Sequence, residues 1–204
     1  FRIEGKMLAS EVIKKIRCSR PEAIQILSNL VAIPSMNPPG KAYKECVDFL
    51  SKLLSRWGIK HQIVRAPDNN SPRYSIISPR SRKKSFHLHG HYDVVPGNGP
   101  RQFQPRLTRD RLYGRGSSDM KGGLVALLLA LRLIREICPE LKDKITFSLV
   151  PDEESGGDLG TQYLMNSGIL PYPCLGMLMP EPTSRAIWNA NKGALTYRIE
   201  IQGK

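Results

Sequence analysis

Histidine and carboxylate side chains that could bind a metal ion are concentrated in four short segments of this sequence. In chain order these residues are His91 with Asp93, Asp119, Glu153 with Glu154, and Glu181. Imidazole and carboxylate ligands without cysteine suit Zn²⁺ or another divalent cation. A cation held in this way can activate water, so the residue types indicate a hydrolytic metal centre.

The first segment places a histidine and an aspartate two residues apart. In an extended chain, residues at this spacing share a face, so His91 and Asp93 can act together. A metal-bound imidazole usually donates its second ring N–H to a carboxylate, which makes His91 a candidate ligand and Asp93 its support. His87 and His89 have the same parity, so spacing alone does not choose among the three histidines. A pair of histidines that is solvated or merely hydrogen-bonded explains this segment equally well.

The second segment brings Asp119 to the start of an apolar helix, just after a glycine-rich run. Gly114 and Gly116 lack the spacing of a phosphate-binding loop. They instead permit a tight backbone path that points Asp119 into a site, where its two oxygens can bridge two cations. Alternatively, Asp119 only caps the helix that follows.

The carboxylates of the last two segments follow predicted strands. Glu153 and Glu154 belong to a run of three acids, whose charges repel one another unless a cation or solvent compensates them. One of the pair could bind metal while the other handles protons. Glu181 stands between two prolines, on a rigid and extended backbone. Taken singly, a solvated acidic turn and a plain loop explain these two segments.

Alternating strand and helix patterns must position these segments. The strand-like runs are Lys60–Val64, Tyr74–Ser78, Ser85–Gly90, and two buried runs, Ile145–Val150 and Cys174–Met179. The helical patterns run from a capping box at Ser19–Glu22 to Pro34, from Tyr43 to Trp57 with Gly58 as the stop, over a buried Leu124–Ile137, and over Gly157–Ser167. This alternation predicts an α/β layered fold with a largely parallel sheet, whose ligands bind beyond the carboxyl ends of the strands.

The end of the chain departs from this pattern. Ala186–Ala190 and Ala194–Ile201 have the pattern of two strands around Asn191–Gly193, which predicts a hairpin. A domain boundary near Asn189 is therefore expected.

The strong positive charge raises the possibility of a nucleic-acid-binding module. The formal net charge is +13, and its one dense cluster is Arg80, Arg82, Lys83 and Lys84. We interpret that cluster as a solvated hairpin loop between two strands. No zinc-finger spacing, RNP-like aromatic motif or KH-type loop is present, so nucleic-acid binding is not expected as the main function. A basic binding module whose metal motifs are relics is the alternative from another functional class.

Composition also bears on the compartment. The longest purely apolar stretch, Leu124–Leu131, is far shorter than the roughly 20 residues of a membrane span, and no signal-peptide pattern is present. The four cysteines are widely spaced, which favours reduced thiols and a cytoplasmic protein without a membrane partner.

The motifs together resemble the co-catalytic zinc amidohydrolases and metallopeptidases, a family that includes acetylornithine deacetylase, succinyl-diaminopimelate desuccinylase, aminoacylase and the glutamate carboxypeptidases. The resemblance is carried by Gly90–Pro96, Leu112–Gly123, Asp152–Gly156 and Glu181–Ser184, and Ala23–Gly40 resembles the family's opening helix and turn. It covers essentially the whole chain. Between Pro96 and Leu112 the family's tryptophan-containing loop is replaced by a shorter segment, so no substrate-binding residue is predicted there.

For the fold, this resemblance implies a three-layer catalytic domain with a mostly parallel central sheet flanked by helices. Residues 1–188 would be the N-terminal part of that domain, and residues 189–204 the first strands of an inserted lid or dimerisation domain. Family members are about twice as long, and their last metal-ligand histidine would lie beyond Lys204. The chain alone is thus expected to hold at most one metal well and to be inactive, and the full-length protein to be a homodimer.

For the site, the resemblance implies two divalent metal ions, most often zinc, with cobalt or manganese as alternatives. His91 would be a terminal ligand of one ion, and Asp93 would orient it. Asp119 would bridge both ions, and in the family the peptide bond after this aspartate is typically cis. Glu153 would be the general base, Glu154 a ligand of the second ion and Glu181 a ligand of the first.

The implied reaction is hydrolysis of an amide bond in an N-acyl-amino acid, as in the acetylornithine and succinyl-diaminopimelate enzymes of amino-acid biosynthesis. A metallo-exopeptidase of the carboxypeptidase or dipeptidase type shares every residue named above and remains the alternative. In both cases the partner is a small-molecule N-acyl-amino acid or peptide.

Overall fold

A computed structural model describes residues 2–67, 72–81, 84–170, 173–190, 193 and 199–203. The helices are α1 Arg2–Cys18, α2 Arg20–Ala32, α3 Tyr43–Arg56, α4 Lys121–Ile137 and α5 Thr161–Asn166. The strands are β1 Gln62–Ala66, β2 Arg73–Ile77, β3 Ser85–His91, β4 Arg106–Thr108, β5 Arg111–Tyr113, β6 Ile145–Val150 and β7 Cys174–Leu178. Among these described helices, none has the length and apolar character needed to cross a membrane.

Five strands form the central sheet, in the order β1-β2-β6-β3-β7. Strand β3 lies parallel to both β6 and β7, with Gly90 opposite Leu149 and Leu88 opposite Leu178. Strands β1 and β2 run antiparallel to their neighbours, and β4 and β5 form a separate two-stranded ribbon. The parallel part therefore contains the three strands whose carboxyl ends carry the predicted site.

Helices cover both faces of this sheet. The larger core lies between the sheet and helices α2, α3 and α4, and it includes Leu88 of β3, Phe147 of β6, and Leu124 and Leu128 of α4. A smaller cluster on the opposite face joins Ile77, Val150, Leu164 and Leu170. Alternate residues of a strand point to opposite faces, which is why Leu149 and its neighbour Val150 enter different clusters. The three-layer α/β fold with helices flanking a central sheet is confirmed.

The predicted capping box at Ser19 is wrong. Ser19 has helical dihedral angles (φ −79°, ψ −7°) and makes no side-chain cap, because α1 ends at Cys18 and continues almost directly into α2. Its hydroxyl instead donates to the carbonyl oxygen of Lys15 at 2.9 Å. Glu22, the expected partner in the box, accepts from Arg132 of α4 at 2.6 Å.

The expected burial of the last strand is also wrong. Strand β7 pairs with β3 on one side, and no other described strand pairs with it, so it forms an edge of the sheet. Leu175 and Met177 are 69% and 58% exposed. An apolar run indicates a strand, but it does not reveal whether that strand will lie inside the sheet or at its edge.

Three smaller expectations need correction as well. Strands β2 and β3 are separated by β6, so the basic segment between them is not a hairpin loop; two of its residues, Arg82 and Lys83, lie outside the described part. The helix expected over Gly157–Ser167 begins only at Thr161, after Gly156 and Gly157, which have positive φ angles of 105° and 77°. Residues Ala186–Ala190 form no strand, and the second expected strand falls mostly on residues 194–198, outside the described part.

Candidate metal centre

The carboxyl end of β3 brings His91 into a ring of carboxylates. Its Nε2 atom lies 3.5 Å from Asp119 Oδ1, 3.6 Å from Glu181 Oε1 and 3.7 Å from Glu153 Oε2. These carboxylates come from the start of α4, the segment after β7 and the turn after β6. His91 is buried, whereas the side chains of Asp119 and Glu153 are about half exposed, so the centre opens to solvent on one side.

The residues present fit a divalent cation. Among the described residues, His91, Asp119 and Glu181 can each offer one ligand atom, and these atoms lie within 4.8 Å of one another. The Nε2 atom of His91 is buried and has no hydrogen-bond partner. Buried polar atoms are nearly always satisfied, so an unpaired ring nitrogen facing carboxylates is the arrangement that a cation would complete.

Asp93 fixes the orientation of this histidine. The Nδ1 atom of His91 lies 3.0 Å from the backbone oxygen of Asp93 and 3.2 Å from its Oδ1. Both oxygens can only accept, so Nδ1 carries a proton, and the neutral ring would direct the lone pair of Nε2 at the carboxylates. The geometry is that of a metal-ligand histidine with its supporting carboxylate.

The start of α4 holds Asp119 in place through a buried lysine. The peptide bond between Asp119 and Met120 is cis, and the fully buried Lys121 follows. Its Nζ atom donates to the carbonyl oxygens of Leu30 and Ile33, each at 2.8 Å. Burial lowers the pKa of Lys121. These two bonds tie the start of α4, next to Asp119, to the end of α2.

The segment carrying Glu181 packs directly on the same helix. A Cβ atom added at Gly123 of α4 would overlap the carbonyl oxygen of Pro180. The absence of a side chain therefore allows the close approach that brings Glu181 beside Asp119.

Glu154 lies beside Asp93 and outside the group of ligand atoms around His91. Its backbone N–H donates to Asp93 Oδ2 at 3.1 Å, and its carboxylate accepts from the backbone N–H of Val95 at 3.2 Å. The structure thus brings all six predicted site residues to one edge of the sheet. The individual roles assigned to them remain predictions.

The titration behaviour reflects crowded negative charge. Burial lowers the pKa of His91, but Asp119, Asp93 and Glu181 raise it more, to about 10. Burial raises the pKa of Glu181 to about 7, with contributions from Asp119 and Glu153, and burial also raises that of Glu154. The neighbouring His91 lowers the pKa of Asp119. A bound cation would relieve this repulsion.

The other two histidines of β3 face hydroxyl groups. His87 lies 2.9 Å from Thr146 Oγ1 and 2.8 Å from Ser148 Oγ, and His89 lies 2.6 Å from the same serine oxygen. Burial lowers the pKa of each to about 4. The structure therefore distinguishes His91 as the metal-ligand candidate, which spacing alone could not do.

Sequence reasoning missed two buried residues next to the centre. Asn37 was seen only as part of a turn, yet its side-chain amide donates to Asp93 Oδ2 at 3.0 Å. Asp152 has no predicted role of its own within the run of three acids, yet it is buried and lies 3.5 Å from Arg73 Nε. A lone asparagine before two prolines carries no sequence signal for such a contact. A charged side chain directly after a buried strand was the one available hint for Asp152.

The flanked α/β sheet and the group of histidine and carboxylate ligands at its edge are the features compared with known proteins. Residues 87–195 match the model of the family described as Peptidase family M20/M25/M40. The chain belongs to this family.

Curated relatives agree with this assignment. The chain is 31% identical over 191 residues to a probable succinyl-diaminopimelate desuccinylase of Staphylococcus aureus, a match covering 91% of this chain and 45% of that protein. It is 30% identical over 209 residues to an uncharacterized metallohydrolase of Methanocaldococcus jannaschii, covering 90% and 50%. The chain thus spans about half the length of the curated relatives it matches.

Solved structures show the same fold. An M20 family metallo-carboxypeptidase from Sulfolobus solfataricus superposes with a TM-score of 0.61 at 24% identity, covering 78% of this chain and 37% of that one. Human carnosine dipeptidase 1 superposes with a TM-score of 0.64 at 20% identity, covering 83% and 40%.

Proposed function

We propose that the whole protein hydrolyses the amide bond of an N-acyl-amino acid at two divalent metal ions, zinc being the first choice and cobalt or manganese the alternatives. The observation that carries this proposal is the buried, unpartnered Nε2 of His91, which faces the carboxylates of Asp119, Glu153 and Glu181. The names of the desuccinylase relatives support an N-acylated amino acid as the substrate class.

The family resemblance supplies the proposed ligand roles, and the donor set around His91 supports those of the first ion. His91, Asp119 and Glu181 would hold one ion, and Glu154 would serve the second. Bound divalent ions lower the pKa of water and polarise the amide carbonyl. Asp93 keeps the proton on Nδ1 of His91, so that Nε2 presents its lone pair.

Glu153 would move the proton. Its carboxylate is about half exposed and lies 3.7 Å from His91 Nε2, so it borders both the ligand atoms and the solvent. A carboxylate in that position can accept a proton from the attacking water and return it to the leaving amine. Glu153 lies in the short turn Glu153–Ser155, directly after Asp152, and this turn fixes the position of its backbone.

A cytoplasmic location is part of the same proposal. The four cysteines are free in the structure, and a protein with free thiols accords with the reducing cytoplasm. A homodimer remains a prediction from the family resemblance.

The test is an assay of amine release by the full-length protein with Zn²⁺ or Co²⁺. N-succinyl-diaminopimelate, N-acetylornithine, N-acetylmethionine and a glutamate-terminated dipeptide would be compared. Hydrolysis of an acylated substrate that is lost with chelator and in Asp119→Ala, but retained in Asn29→Ala on the exposed face of α2, is the expected result. Cleavage of the dipeptide alone would identify the exopeptidase alternative. A folded, metal-loaded protein that cleaves none of the four would overturn the proposal.

A further inference from the structure

A buried amide joins two loops of the metal centre. Asn37 is only 1% exposed, and its Nδ2 atom lies 3.0 Å from Asp93 Oδ2, 3.2 Å from Asp152 Oδ1 and 2.8 Å from Ser155 Oγ. We propose that Asn37 is a positioning residue that fixes the loop after β3 and the loop after β6 relative to each other. This inference rests on the proposed function, because the groups it would position are those of the hydrolytic site.

The donor inventory explains why an amide suits this position. An asparagine amide has two N–H donors and no charge. Asp93 and Asp152 are both buried and of like charge, so each needs donors more than it needs another acceptor. The hydroxyl of Ser155 donates to Asp152 Oδ1 at 2.9 Å, which leaves its oxygen free to accept from Asn37. One amide thus serves three acceptors that approach from two loops.

The first loop leads to the metal ligand. Asp93 receives Asn37 at Oδ2 and His91 at Oδ1, so a shift of the amide would rotate the carboxylate that orients His91. The backbone N–H of Asn37 also donates to the carbonyl oxygen of Val94 at 2.8 Å. Main chain and side chain of Asn37 therefore hold the same segment after β3.

The second loop carries the proposed general base. Asp152 and Ser155 flank Glu153 and Glu154, and Asp152 Oδ2 accepts from the backbone N–H of Leu159 at 3.0 Å. Asp152 has a positive φ of 74°, a conformation that is uncommon for non-glycine residues but that aspartate tolerates better than most. The contact from Asn37 helps to hold the side chain of Asp152 in this turn.

The decisive variant is Asn37→Asp, which keeps the size of the side chain but replaces the amide donor with a third carboxylate. Ser155→Ala is the milder variant, because it removes one of the three acceptors at an exposed residue. Asn29→Asp, the same chemical change at an exposed position of α2, is the matched control. Zinc affinity would be measured in the full-length protein by competition with a chromophoric chelator, together with the visible absorption of the Co²⁺ form.

For Asn37→Asp we expect zinc affinity to fall by about tenfold, the lower end of the range for partners behind a metal ligand. The Co²⁺ absorption should change in shape, and kcat should fall with KM nearly unchanged. Ser155→Ala should weaken zinc by about threefold. The control should match wild type in every measurement.

A merely structural role would lower the thermal midpoint and leave the affinity and the Co²⁺ spectrum of the folded protein unchanged, which would overturn the inference. If Asn37→Asp does not fold, Ser155→Ala decides, and zinc affinity equal to that of the control would then count against it. The metal measurements need no substrate. A weakened site in a protein that cleaves none of the tested substrates would support this inference while contradicting the proposed function.

Discussion

Two regions on one face of strand β3 shift the pKa of histidine in opposite directions. In the middle of β3, His87 and His89 lie among the hydroxyls of Thr146 and Ser148, and burial lowers both pKa values to about 4. At the end of the same strand, burial acts on His91 too, but neighbouring carboxylates raise its pKa to about 10. All three are buried histidines, and they lie on the same face of the strand. The partners brought by other segments of the chain decide which imidazole is neutral and structural and which faces a possible cation site.

The largest expected effect comes from replacing His91, with the replacement of His87 as the comparison. His91→Gln should abolish both zinc binding and turnover, losing more than the about 10–100-fold in affinity that a partner behind a ligand would cost. His87→Gln, the matched control, should keep zinc affinity within about threefold of wild type. Chelator competition measures both. Equal losses in the two variants would remove the distinction between the regions.

A second variant separates holding the metal from using it. Glu153→Gln keeps the size of the side chain but removes the group that accepts a proton, so turnover should fall by about 100–10,000-fold. Zinc affinity should be nearly unchanged, because the proposed ligands of the ion are intact. Amine release and metal competition on the same preparation check this. Retained turnover would show that Glu153 is not the general base.

The pH dependence of stability in metal-free protein should have opposite signs in the two regions. The folded pKa of His87, about 4, lies below the unfolded value of about 6.5, so the unfolded chain takes up the proton first. The free energy of unfolding should therefore fall as the pH falls from about 6.5 to about 4, by up to about 3 kcal/mol from this histidine.

For His91 the folded pKa is the higher one, about 10. Its contribution is present below about pH 6.5 and should be lost as the pH rises through about 10. Chemical denaturation of wild type, His87→Gln and His91→Gln between pH 4 and 10 tests both directions. His91→Gln should lose the alkaline limb of the profile, and His87→Gln should lose its share of the acid limb, to which His89 also contributes. Each variant should keep the other limb. Three identical profiles would contradict the assigned partners.

The smallest expected effect lies in the hydroxyl region. Ser148 Oγ lies 2.8 Å from His87 Nε2 and 2.6 Å from His89 Nδ1, so Ser148→Ala leaves buried ring nitrogens without this partner. The cost should be about 1–3 kcal/mol in the free energy of unfolding, with zinc affinity unchanged. Urea denaturation and metal competition measure the two quantities. A weakened metal site would mean that the two regions are coupled.

Much of the fold and of the site could be predicted because the relevant patterns are local. Ile145–Val150 was placed with its observed bounds, since an apolar run between a turn and an acidic segment is explicit in the sequence. The parallel arrangement of β3, β6 and β7 then brings the ends of those strands to one edge, and with them His91, Glu153 and Glu181.

What could not be predicted depends on partners far along the chain. Asn37 meets Asp93 across 56 residues and Asp152 across 115, and no local pattern announces either contact. Spacing alone could not choose among the three histidines for the same reason, because their neighbours come from β6 and α4. The exposure of β7 depends on its place in the sheet order, which an apolar run does not contain.

The residue after Asn37 has a consequence for the chemical ageing of the protein. Asparagine normally deamidates when the backbone nitrogen of the next residue attacks the side-chain carbonyl to form a cyclic imide. Here the next residue is Pro38, whose nitrogen bears no hydrogen, so that ring does not form by this route. The usual spontaneous route that would convert this buried donor into a third carboxylate is thereby blocked by covalent structure, and only the slow direct hydrolysis of the amide is left.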